Sequence, residues 1–320
     1  MAIKKNYIHY IFLALFLIIL YYYFRAEHIY QKQLYNEQQQ IENFEDMMTI
    51  DDKYEDIYDK EFVDFYEIIY RDFSDIDYDF KIIKEKTLNN IKNKEQINIL
   101  VCGCGVGKLC KKIKDNYDSV IGVDISEQML KKAQNMYPNI KFIRGNITNS
   151  KLFPKNKFSH IFLDERTLYY NNSENIEKII QNIFSWISER GFIIIPVYNP
   201  EKLQLACRYY TSKYMDNKGN FHGFTYLNDF SHDCYYIRDQ ENKEIFNYYD
   251  KIILDNGKKR IKITKFTIPS KEKIYDILFK SGFEKYHIEN VRIQIVGGYD
   301  LAIFRKKKTI FDVNDLEKEN

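Results

Sequence analysis

The sequence predicts an α/β protein: a mostly parallel sheet with helices on both faces. Three observations predict it. Ile99-Leu-Val-Cys102 is an apolar run that breaks into glycines at 103, 105 and 107, and it has the character of a buried parallel strand. A second apolar run, Val120-Ile-Gly-Val-Asp124, ends in an acid. Strand and helix patterns then alternate from Ile97 to Val197, which implies right-handed βαβ crossovers.

The glycine turn carries the chemistry. Glycines permit a tight turn and close approach of backbone to a ligand. The segment Lys108 to Asn116 can form a helix whose first amides are unpaired and face that ligand. An acid about 20 residues after such a turn is placed to accept hydrogen bonds from ribose hydroxyls. The pattern therefore points to a nucleoside-bearing cofactor. Dinucleotide sites use G-x-G-x-x-G and need a small residue at 108, where this chain has lysine.

Further segments follow in order. Val123-Asp-Ile-Ser126 leads into Met129-Leu130 and Ala133. Phe142-Ile-Arg-Gly-Asn-Ile147 and Phe158-Ser-His-Ile-Phe-Leu-Asp164 come next. Ser188-Glu-Arg-Gly-Phe-Ile-Ile-Ile-Pro196 and Ser281-Gly-Phe283 complete the series. Together with Gly103–Gly107 the series resembles the class I S-adenosylmethionine-dependent methyltransferases from roughly Tyr54 to Lys306. The resemblance implies a Rossmann-like, mostly parallel seven-stranded sheet and S-adenosyl-L-methionine as cofactor. It implies a cofactor site at Gly103, Cys104, Gly105, Gly107, Asp124, Ile125, Asn146 and Ile147. Three positions depart from the family, which usually has acids where this chain has Val101, Asn146 and His160. Losing one hydrogen bond to a charged group costs about 1.5–3 kcal/mol. That weakens cofactor binding without necessarily abolishing it. Asn146 can still accept from an adenine amino group through its carbonyl oxygen.

Asp164 is the first choice for contacting acceptor or cofactor, because acceptor-side residues collect at the carboxyl ends of strands. Glu165, Tyr169 and Tyr170 follow it. His222 and His232 are candidate general bases. The weight falls on packing or surface roles for both histidines. Cys102-x-Cys104 with Cys110 lacks the second pair that a zinc site needs, so no metal is expected. The 320-residue chain has a net charge of +2, and no basic stripe with interleaved aromatics marks a nucleic-acid groove.

Tyr7 to Phe24 contains no charged residue. Eighteen helical residues span about 27 Å, close to bilayer thickness. Residues 1–25 are expected to form a membrane anchor, with Tyr21-Tyr22-Tyr23 at the interface. Residues 26–50 read as a polar stalk, 51–306 as the methyltransferase domain and 307–320 as a charged tail. Aromatics before Ile97, Tyr58 and Tyr66 among them, can cover the cofactor pocket. Five scattered cysteines suggest a reducing compartment, and Asn146-Ile-Thr148 is a sequon inside the expected adenine pocket. Both favour a cytosolic domain.

Residues 203–268 are expected to form an antiparallel β insertion on the substrate side. Its strands are expected at Phe221–Leu227, Cys234–Ile237, Ile245–Leu254 and Ile261–Ile268. Asp255-Asn-Gly257 marks a hairpin. The expected activity is methyl transfer to a small molecule, or to a membrane-proximal lipid or protein. The alternatives are a catalytically degenerate binding or scaffold protein and a nicotinamide-dependent oxidoreductase.

Overall fold

The computed structural model describes Phe16, Val63 and residues 20–25, 76–89, 91, 96–201, 212–215, 221–227, 230–254, 259–291 and 298–308. Residues 1–52 and 53–320 are separate compact units. In the first, residues 20–25 are helical, with Tyr21–Phe24 exposed. Among the described residues no helix is long and apolar enough to cross a membrane. The expected anchor at Tyr7–Phe24 lies mostly outside the described residues. The stalk, Tyr58 and Tyr66 lie wholly outside them.

In the second unit the strands β1 (Ile99–Cys102), β2 (Val120–Asp124), β3 (Lys141–Arg144), β4 (Phe158–Leu163), β5 (Ile187–Tyr198), β11 (Phe283–Val291) and β12 (Tyr299–Lys306) form one seven-stranded sheet. Its order is β11-β12-β5-β4-β1-β2-β3. Strands β1 to β5 run parallel, while β12 is antiparallel to both neighbours. From β1 the chain steps outward to β2 and β3 through helices α2 (Lys108–Lys114) and α3 (Glu127–Met136). It then returns to the other side of β1 for β4, α4 (Ser173–Trp186) and β5. Right-handed crossovers that step in opposite directions put their helices on opposite faces. The order reverses between β1 and β4, and that is where such sheets open a ligand crevice.

Local chemistry sets the boundaries. Ser126, Asn172 and Ser270 cap α3, α4 and α5 (Lys271–Lys280), each side chain accepting the N–H three residues on. Such caps are worth about 1 kcal/mol each. Strand β1 is buried at all four positions, as a central parallel strand must be. The expected turn at Ser188–Gly191 is instead part of β5. Arg190 has φ +57°, and the β4–β5 register shifts between Phe158 and His160, so a bulge does the work of a turn. Helix α1 (Ile76–Ile83) continues as one π-helical segment, Lys84–Leu88.

The insertion is a second, fully antiparallel sheet of order β10-β9-β8-β7-β6. Its strands are β6 (Ser212–Met215), β7 (Phe221–Leu227), β8 (Phe230–Arg238), β9 (Ile245–Leu254) and β10 (Lys259–Thr267). Four of the five overlap the expected strands, and β6 is an addition. The expected hairpin residues 255–257 lie outside the described residues.

Candidate active site

The carboxyl ends of β1 and β2 make a tightly knit turn. Gly103, Gly105 and Gly107 have φ of +70°, +51° and +83°, a region that favours glycine. The amides of Gly103 and Cys104 both donate to the Val123 carbonyl, at 2.7 and 3.1 Å. A Cβ on Gly103 would stand 1.7 Å from Thr167 Oγ1, and one on Gly107 2.7 Å from the Phe142 ring. Gly105 differs: a Cβ there would meet no atom within 4 Å. The turn is packed behind Gly103 and Gly107 and open over Gly105.

Asp124 ties this turn to β2. Its Oδ2 accepts the Gly105 N–H at 2.9 Å and its Oδ1 the Ser126 N–H at 2.9 Å. Burial pushes its carboxyl up, against the pull of those amides. Each carboxylate oxygen has a further acceptor site, so Asp124 keeps capacity for ribose hydroxyls. The Cys104 thiol is buried and held up by a hydrogen bond to Cys110 and by desolvation. Cys104 therefore offers this site backbone only. Ile125 is half-buried, and its carbonyl accepts from Arg144 Nε at 3.3 Å.

Asn146 and Ile147 follow β3. Ile147 is buried, with its carbonyl held by Asn182 Nδ2 at 2.9 Å. Asn146 is exposed, and its Oδ1 accepts both the N–H and the hydroxyl of Thr148, at 2.9 and 2.8 Å. In this geometry the oxygen expected to meet adenine is committed to its own turn. Val101 is wholly buried between Gly122 and Phe162, so its departure from an acid is accommodated by packing. His160 is also wholly buried, at the entering end of β4, stacked 5.3 Å from Phe192. Burial pushes its imidazole down to about 3, and it takes no part in the carboxyl edge. Ahead of β1, Val63 packs with Val106 and Met129, so the preceding segment does reach the glycine turn.

On the other side of β1, a cavity is lined by Asp79 and Ile83 of α1, Asp164 and Glu165 after β4, Pro196 and Tyr198 of β5, and Tyr299 of β12. Asp164 lies at its wall; its carboxyl is pushed up by burial first, then by Glu165, Asp79 and Asp124. Glu165 has φ +41°, a strained conformation of the kind that clusters at functional sites. Tyr169 stitches the wall together: its hydroxyl donates to the Pro196 carbonyl at 2.9 Å and accepts the Tyr198 N–H at 3.3 Å. Tyr170 packs on Phe266 of β10 at 4.8 Å, which brings the insertion against the segment after β4.

The two histidines are placed differently from Asp164. His232 is buried in β8, its Nε2 2.5 Å from Asp250 Oδ1, and it does not line the cavity. Position 222 of β7 pairs with Tyr235 of β8, whereas His232 of β8 pairs with Thr225 of β7, so strand alternation puts positions 222 and 232 on opposite faces. The side chain of His222 lies outside the described ones. Sequence reasoning missed Asp79, Tyr198 and Tyr299. Only Tyr198 carried a signal, its place at the end of a parallel strand. Among the described residues no group of His, Cys, Asp and Glu is arranged to hold a metal ion.

A family profile described as a methyltransferase domain matches residues 99–191. Phosphoethanolamine N-methyltransferase 3 of Arabidopsis thaliana is 27% identical over 103 residues, 31% of this chain and 21% of that protein. The chain thus spans about a fifth of the length of the phosphoethanolamine N-methyltransferases it matches, and about half that of a putative methyltransferase of Geobacillus. An S-adenosylmethionine-dependent methyltransferase from Clostridium acetobutylicum superposes with a TM-score of 0.60 at 16% identity, covering 78% of this chain and 98% of that one. The S-adenosylmethionine-bound amino pentose methyltransferase CalS10 of Micromonospora echinaspora superposes with 0.58 at 12% identity, covering 76% and 96%. With the sheet order, the glycine turn and Asp124 in place, the chain has the fold of the class I S-adenosylmethionine-dependent methyltransferases, and its residues 99–191 match a methyltransferase domain.

Proposed function

We propose that this chain transfers a methyl group from S-adenosylmethionine to a small-molecule acceptor. The single observation that carries the reading is the open space over Gly105 beside the Asp124 carboxylate; a cavity at the carboxyl end of β4 reaches Leu109 in the helix that follows the turn. Gly103, Gly105, Gly107, Asp124 and Ile125 would hold the cofactor, with Asn146 and Ile147 beside its base. The cofactor, when bound, supplies an electrophilic methyl group. The protein's own task is then alignment and, for a protonated acceptor, removal of a proton. Asp164 is the group we assign to that side. Its raised carboxyl pKa suits a proton acceptor working nearer neutrality. The name of phosphoethanolamine N-methyltransferase 3, to which 103 residues of this chain are 27% identical, supports nitrogen as the acceptor atom.

Tritium from methyl-labelled S-adenosylmethionine should enter the small-molecule fraction of a cell extract, and Asp124→Ala should abolish most of that transfer. Label that stays in the cofactor with the unaltered chain would count against the reading. Membrane attachment with a cytosol-facing domain belongs to the same proposal and rests on the sequence of Tyr7–Phe24, the cysteines and the sequon at Asn146. The full chain should then sediment with membranes and resist alkaline extraction; release by high salt alone contradicts the anchor.

A further inference from the structure

Building on the methyltransferase reading, we propose that Thr167 is a positioning residue. Its side chain seats the segment after β4 on Gly103 and so sets Asp164 relative to the bound cofactor. A Cβ on Gly103 would stand 1.7 Å from Thr167 Oγ1, 2.6 Å from its Cγ2 and 2.7 Å from its Cβ. The threonine thus fills the place that a side chain at 103 would take. Its hydroxyl oxygen comes closest, and that oxygen is smaller than a methyl group. Backbone Cα–H groups make weak contacts to oxygen at close approaches of this kind. Gly103 is therefore required twice, by its φ of +70° and by Thr167.

The backbone around Thr167 gives an independent reason. The Asp164 N–H donates to the Cys102 carbonyl at 2.9 Å, and the Thr167 N–H donates to the Asp164 carbonyl at 3.1 Å. Asn171 Nδ2 donates to the Thr167 carbonyl at 3.1 Å. Residues 164–167 are thus one closed turn, fixed at its two ends to consecutive residues: Cys102 at the end of β1 and the first glycine. Glu165, with its φ of +41°, lies between the two anchors. A strained backbone persists only where its surroundings over-determine it, and the two anchors do so here. Gly103 in turn is tied to β2, its N–H donating to the Val123 carbonyl at 2.7 Å, one residue before Asp124. A cofactor that settles the glycine turn therefore also settles Asp164.

Hydrogen exchange of the full chain, read at residues 164–168 with and without S-adenosylhomocysteine, tests this coupling. The ligand should slow exchange there at least fivefold in the unaltered chain. Thr167→Ser keeps the hydroxyl and should show the same slowing. Thr167→Ala removes the contact without adding bulk and should show less than twofold. Thr167→Val puts a methyl group where the oxygen meets Gly103 and should match the alanine variant, so the test stands if either one fails to fold. S-adenosylhomocysteine affinity by calorimetry should stay within threefold in every folded variant. Transfer of labelled methyl to the small-molecule fraction should fall at least tenfold with alanine or valine and less than threefold with serine.

Undiminished slowing or undiminished transfer in a folded alanine or valine variant overturns the proposal. So does a serine variant that behaves as alanine does, or no slowing in an unaltered chain that binds S-adenosylhomocysteine. A loss of S-adenosylhomocysteine affinity as large as the loss of transfer also overturns it, because Thr167 would then support the cofactor turn alone. A chain that binds no S-adenosylhomocysteine at all instead defeats the methyltransferase reading on which the proposal rests.

Discussion

The β1–β3 side of the crevice is built from one unbroken stretch, Ile99 to Asn146, whereas the β4–β5–β12 side gathers residues from Asp79 to Leu301. On the first side the backbone sets the shape. Three left-handed glycines and one carboxylate shape a space, and nearly every amide of the turn is already paired. On the second side the side chains set it: three acids and two tyrosines from four elements line a cavity. A cofactor site that must hold one molecule needs a fixed local turn. An acceptor site assembled from distant residues can change its guest without disturbing that turn.

The largest break should come at Gly103. Its positive φ and a Cβ only 1.7 Å from Thr167 Oγ1 combine backbone strain with overpacking, so Gly103→Ala should lose roughly 3–5 kcal/mol in urea unfolding. Gly105→Ala meets no neighbour and should lose only about 1–2 kcal/mol of stability, yet fill the cofactor's space and weaken S-adenosylhomocysteine binding. If the two variants behave alike, the turn does not divide into a packed and an open glycine.

The next tests the buried end of β4, which belongs to neither side. His160 is neutral when folded, with its pKa depressed from 6.5 to about 3. Between those values the unfolded chain binds the extra proton, so stability falls as pH falls. The His160 contribution should decline by about 2 kcal/mol between pH 6.5 and 5, and His160→Phe should flatten that part of the unfolding-against-pH curve. An unaltered slope would remove His160 as its source.

The smallest effect is expected at Asn146. Because Thr148 occupies its Oδ1, Asn146→Ala should change S-adenosylhomocysteine affinity by less than about threefold, under 1 kcal/mol. A tenfold loss would mean that the turn opens to give adenine the amide oxygen.

These contrasts show why one side was legible in the sequence and the other only in part. The glycine turn, Asp124 and the strands around them are local, and periodicity finds them. Helix α5 was placed at Lys271–Lys280 and β9 at Ile245–Leu254, as observed, because caps and apolar spacing mark them. Strand β6, Ser-Lys-Tyr-Met, is too short and polar to show alternation. Asp164 was legible from its place after a parallel strand. Tyr299 was not, because β12 runs antiparallel and its first residue, paired with Tyr198, reaches the carboxyl edge only through the register. Asp79 arrives from a helix that precedes the sheet, and no spacing rule links it to Asp164. His232 was singled out by residue type alone. The structure pairs it with Asp250 away from the cavity lining.

The division between the two sides is tested most directly by calorimetry of the full chain with S-adenosylhomocysteine, comparing Asp124→Ala with Asp79→Asn. The account predicts one site per chain. Asp124→Ala should weaken it at least tenfold through loss of a charge-assisted hydrogen bond worth about 1.5–3 kcal/mol, while Asp79→Asn should leave it within twofold. No binding by the unaltered chain, or equal losses in the two folded variants, would contradict it.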